Sequence, residues 1–170
     1  MAQFDPSSMN GLLPWRTHLG STPIVGYAES TSATFKYGQL VELDQTDTGT
    51  VGQVIEASSL STGYLGVAAA AASSVQGTVQ PVYVSYPDNM FLGWVKEPIL
   101  STMVGQDRSF RRDSTLAIDY LGVNSSAADN RAVIMEIEVE GPEGRWARGD
   151  TGGYVAFQFI KNFTQFGHST

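Results

Sequence analysis

Between residues 34 and 85 the apolar positions fall into short runs separated by Gly, Ser, Thr and Asp: 35–43, 51–55, 64–68 and 80–84. No helical period interrupts them. This spacing predicts an all-β fold, a compact β-barrel or β-sandwich of short antiparallel strands. Further strands are expected at 89–95, which carries Phe91, Leu92 and Trp94, at 115–120 and at 154–160. The most regular alternation runs over residues 131–140. Val133, Met135, Ile137 and Val139 are expected on the buried face, with Ile134, Glu136, Glu138 and Glu140 on the other. A one-residue slip would bury three carboxylates, which argues for a fixed register. Residues 101–114 read as a polar excursion. The alanines at 68–72 favour helix by propensity, but Ser73-Ser74 and Gly77 close the run, so a crowded strand or a single helical turn is expected.

The two ends follow other rules. In residues 1–23, Asp5-Pro6, Asn10-Gly11, Leu13-Pro14 and Thr22-Pro23 place a turn or extended signal every few residues, so the reading is an extended N-terminal arm. The arm nevertheless carries Phe4, Met9, Leu12, Leu13 and Trp15, more apolar matter than a solvated tail needs. It either packs on its own domain or wraps a neighbouring subunit. The β domain is then residues 24–161, and residues 162–170 form a C-terminal tail with Phe163 and Phe166 that docks or swaps.

A chain of 170 residues fits one domain with a core that needs no metal or disulfide. Charged residues are only 16% against a usual ~25%, and there are 18 glycines, which fits a turn-rich β protein with a neutral surface. Cysteine is absent, and with it thiol chemistry and disulfides. The net charge of −7 argues against nucleic acid as a partner. The first residues lack the basic and apolar regions of a secretory signal, and the apolar stretch at 64–72 is too short to span a bilayer, so no membrane partner is expected. Six of the seven arginines lie between Arg108 and Arg148. They either pair with interspersed acids such as Asp107, Asp113 and Asp119, or Arg108, Arg111 and Arg112 form a basic loop for an acidic partner.

Candidate chemistry is sparse. The two histidines, His18 and His168, lie near the termini, so a nucleophile–His–acid triad is not expected, and no His-pair metal motif or Gly-rich phosphate loop occurs. Asp44 and Asp47 lie in a loop whose spacing does not match a Ca²⁺ site. The Arg148-Gly149-Asp150 tripeptide reads as ordinary turn chemistry. Trp146 is the one tryptophan expected to be exposed, and so the one candidate for a carbohydrate platform. The reading is therefore not an enzyme, with no catalytic residue, metal or cofactor.

The order Phe35-x-x-Gly38-Gln39-Leu40-Val41-x-Leu43, Leu65-Gly66-Val67-Ala68, Val82-x-Val84, Asp119-Tyr120-x-Gly122-Val123 and the run at 133–139 resembles the head decoration (cement) proteins of tailed bacteriophages over residues 34–140. The resemblance implies a non-enzymatic virion protein on the outer surface of an icosahedral capsid. Its implied partners are the major capsid protein and further copies of itself, usually as a homotrimer, and it would stabilise the head against internal pressure. Phe4, Leu12, Leu13, Trp15, Arg108, Arg111 and Arg112 are the expected contact residues for capsid or neighbouring subunit. The alternatives are another virion part, such as a tail-tube-like or head-fibre component, and a carbohydrate-binding β module.

Overall fold

The computed structural model of the chain describes residues 11–17, 20–45, 49, 51–123, 126–141 and 144–165. Among these it is all-β, with thirteen strands and short 3₁₀ turns at Ser101–Met103, Ala127–Asp129 and Lys161–Phe163. No helix among them is long and apolar enough to cross a membrane.

Two main sheets share the work. The first has the order β1 (Leu13–Arg16), β7 (Met90–Pro98), β13 (Thr151–Phe159), β10 (Ala132–Glu136), β8 (Asp107–Asp113), β9 (Ile118–Gly122). A parallel pairing of Val95 with Leu121 brings β9 back to β7, so the sheet curls on itself. The second has the order β2 (Ile24–Ala28), β6 (Val79–Val84), β5 (Tyr64–Ala68), β3 (Leu40–Leu43), β4 (Val54–Glu56). It curls too, because Glu29 bridges in parallel to Val54. A small hairpin of β11 (Glu140–Gly141) and β12 (Gly144–Arg145) completes the set.

The major core sits inside the first sheet and against one face of the second. Its centre is aromatic: Phe110 lies 5.3 Å from Tyr64 and 5.6 Å from Phe157, and Phe91 lies 5.3 Å edge-on from Phe159, between ring centroids. Burying each such ring stabilises by roughly 1.5–3 kcal/mol, with further gain from edge-to-face geometry. Gly93 makes room for them, since a Cβ there would fall 2.8 Å from Leu121 and 2.9 Å from Phe157. A minor core fills the curl of the second sheet with Phe35, Val41, Val54, Leu65, Ala68 and Val82.

A buried carboxylate joins the sheets. Asp119 on β9 accepts the backbone N–H of Leu40 on β3 at 2.7 Å, and Arg112 Nε and Nη2 at 2.8 and 3.0 Å. Arg112 also pairs with Glu56 on β4. Tyr64 donates its hydroxyl to Ser59 O at 2.8 Å, and burial pushes its pKa well above the ordinary phenol value.

Two expectations are corrected. The alternation over residues 131–140 does not hold throughout: Ala132 and Ile134 face the core, while Met135 is 38% exposed. The cause is a bulge, because Ile134 pairs with Phe157 and Glu136 with Ala156, leaving Met135 as the extra residue. After the bulge Ile137 and Val139 do turn inward, and Glu138, two residues past the end of the strand, takes a left-handed φ of 59°. The polar excursion at 101–114 also hides strand β8, in which Arg108, Ser109 and Phe110 are buried. Polar composition concealed it, since two of those three are hydrophilic.

Of the expected arm, Leu13–Arg16 is an edge strand on β7, and Leu12 and Leu13 belong to the major core. At the other end Thr164 bridges to Tyr64, and Phe163 lies under the guanidinium of Arg131, 3.9 Å from ring centroid to Cζ.

Candidate functional site

The expected contact residues separate into buried and exposed. Phe4 lies outside the described residues, as do His18, His168 and Asp47. Leu12 and Leu13 are spent on the chain's own core and present almost no side-chain surface. Arg108 is likewise buried, with Nε 3.3 Å from Glu97 Oε1. A partner cannot reach these three without opening the fold. Trp15 is half-buried beside Ile137, Val139 and Arg145, with the Arg16 guanidinium 5.7 Å from its ring. Arg111 is exposed and its stem lies over Gly122. Arg112 is committed to Asp119 and Glu56. The basic loop is therefore largely neutralised from within, and Lys96 beside it pairs with Asp113 at 2.7 Å. The hydrogen bond from Lys96, helped by backbone N–H groups of Leu116 and Thr115, lowers the Asp113 carboxyl to about 2.

Trp146, expected to be exposed, is 5% accessible and part of the major core. Its ring packs on Gly153, where a Cβ would fall 2.8 Å from the indole. The glycines around it read as turn signals, yet one of them is the floor on which the ring lies. Trp146 is thus no carbohydrate platform. In the neighbouring turn, Asp150 accepts the Ala147 N–H and Gly149 donates to Ile99 O, each at 2.8 Å, so the Arg-Gly-Asp stretch is held as turn chemistry.

Sequence reasoning passed over Glu29. It is fully buried, and accepts Ser73 N and Oγ at 2.8 Å each and Ser74 N and Gln80 Nε2 at 2.6 Å each. Burial alone would raise its pKa, but these hydrogen bonds outweigh it and hold the carboxyl below its ordinary value. Glu29 pins the loop at 73–78 to the second sheet. The Ala-to-Ser transition at 72–73 was the only local hint. Among the described residues no group of three His, Cys, Asp or Glu side chains could hold a metal ion.

Two surface features remain. The first is a charge-free shelf. Leu40, Val67 and Tyr83 are cross-strand neighbours on the face that meets the major core. That face continues outward through the pairs Ile24 with Tyr83, Gly26 with Pro81 and Ala28 with Val79. Ile24 is 56% and Val79 68% exposed, and none of these six residues is charged.

The second is an open cleft of about 670 Å³ at the end of the minor core. Tyr27, Leu43 and Leu65 give it an apolar side, and Glu42, Asp44 and Gln165 line it among other polar groups. Glu42 accepts a hydrogen bond from the Ser61 hydroxyl. Burial first, and then the charge of Asp44, push the Glu42 carboxyl above its ordinary value despite that bond.

No family model, curated protein or solved structure matches the chain.

Proposed function

We propose that the chain is a non-enzymatic head decoration protein of a tailed bacteriophage. It binds the outer face of the shell built by the major capsid protein, acts there as a homo-oligomer, and resists separation of the shell's subunits under internal pressure. The sequence resemblance over residues 34–140 supports this reading, and so does the way charge is used. Arg108, Arg112, Arg131, Glu29 and Asp119 all serve the chain's own architecture.

The observation that carries the reading is the shelf of Ile24, Gly26, Ala28, Val79, Pro81 and Tyr83, an apolar continuation of a core face with no charge on it. Desolvating such a surface contributes roughly 25 cal/mol per Å². The contact is small for one copy, but repetition over oligomer and shell multiplies it, with avidity gains of about 10²–10⁴. Attachment of this kind needs no bond making.

The test is occupancy on purified heads for the wild type and for the double substitution Ile24→Lys with Val79→Lys. Both side chains are exposed, so the fold should survive, as circular dichroism would verify. Loss of the variant from heads is the expected outcome. Wild-type occupancy by a folded double variant would overturn attachment through the shelf.

A further inference from the structure

The cleft at the end of the minor core is not used by the attachment described above. Its volume of about 670 Å³ lies inside the ~300–1,000 Å³ range of small-molecule sites, and the mouth of a curled β-sheet is a common place for one. The chemistry of its lining is mixed. Carboxylates of Glu42 and Asp44 accept hydrogen bonds, the Thr62 hydroxyl donates or accepts, the Ser61 hydroxyl already donates to Glu42, and the Gln165 amide does both. Tyr27 adds an aromatic side chain beside Leu43 and Leu65. No Lys, Arg or His lines the cleft among the described residues.

Two observations point to a missing occupant. The Oε1 atom of Gln165 is buried and finds no donor among the described residues, and an orphaned buried acceptor calls for an explanation. Glu42 stands half-buried next to a second acid, an arrangement that disfavours its own ionised form. A carboxylate perturbed in this way and lining a cleft is a candidate binding residue.

From these features we infer that the cleft binds a neutral polyhydroxylated ligand, a short saccharide. Vicinal hydroxyls both donate and accept. They would give donors to the Glu42 carboxylate and Gln165 Oε1, take one from the Thr62 hydroxyl, and set the apolar C–H face of a sugar ring against the Tyr27 side. A metal ion would use only the acceptors and leave the apolar wall idle. A lysine ammonium would use the acids but, being donor-only, would leave the amide and hydroxyl donors idle. The site is independent of the attachment shelf, so its test uses the isolated protein and no capsid.

A broad glycan array identifies candidate sugars. Maltotriose, chitotriose and mannotriose are then titrated into isotope-labelled protein and followed by NMR, with lysine amide as the cationic comparison. The expected result is saccharide-dependent shifts at Thr62, Gly63 and Gln165. They should weaken roughly tenfold or more in Glu42→Gln and Gln165→Ala. Thr62→Trp, a substitution at an exposed loop position, should block the cleft and abolish binding while the remaining spectrum stays that of the folded chain. Absence of any saccharide binder on the array and in the titrations overturns the inference. So does a preference for lysine amide over sugar, or saccharide binding that persists in Thr62→Trp.

Discussion

Removing the Asp119 carboxylate should loosen the joint between the two sheets by a predictable amount. Asp119 is 2% exposed and holds both Leu40 N–H and the Arg112 guanidinium. In Asp119→Ala the Leu40 N–H loses its acceptor in a dry site, a cost of roughly 1–3 kcal/mol. The ion pair adds less than the ~3–5 kcal/mol of a fully buried one, because Arg112 is about one-third exposed and keeps Glu56. About 1 kcal/mol is appropriate for it after screening. The expected total is ~2–4 kcal/mol, or ~4–16 °C in Tm for a chain of this length. Asp119→Asn keeps an acceptor for Leu40 and should cost less than Asp119→Ala. Urea unfolding and differential scanning calorimetry would measure both. A change within ~0.5 kcal/mol for Asp119→Ala, the range of an ordinary surface substitution, would refute the idea that this residue couples the sheets.

Other outcomes follow from the same reasoning. Glu29 has a folded pKa below its unfolded one, so its contribution is present above the unfolded value and lost as pH falls through the folded one. Glu29→Gln should therefore lower Tm at neutral pH, with the deficit shrinking under acid conditions, and hydrogen exchange should speed up at residues 73–78. Glu42 is the opposite case: its folded pKa is raised, so stability is fully present below the unfolded value and falls as pH rises through the folded one. Glu42→Gln should raise Tm at neutral pH and make no difference well below pH 4.5. Deleting residues 1–16 removes β1 and the buried Leu12 and Leu13. Cavity costs of ~2–5 kcal/mol per leucine should then appear in the melting curve.

The fold class was legible because period-2 runs and turn residues are local signals. Residues 64–68 match β5 residue for residue, and 80–84 falls one short of β6. What stayed hidden depended on partners distant in sequence. The bulge at Met135 is set by pairing with β13, and no local pattern announces it. Strand β8 reads as polar because Arg108 is buried against Glu97 and Ser109 donates to Gly122 O at 3.2 Å. Trp146 sits among turn glycines, and only the chain fold shows that Gly153 lies beneath it. The candidate contacts fared similarly. Apolar residues near the N-terminus were legible as adhesive, but whether they adhere to the chain's own core or to a neighbour is a question of topology. The shelf escaped notice because its members come from two strands and acquire meaning only side by side.

The most direct test of the central claim is the copy number of this chain on purified phage heads, counted by quantitative mass spectrometry before and after a mild chaotrope wash. The expected result is hundreds of copies per head that leave with the wash while the shell protein stays, and a double variant, Ile24→Lys with Val79→Lys, that never accumulates there. Absence of the chain from purified heads would contradict the claim outright.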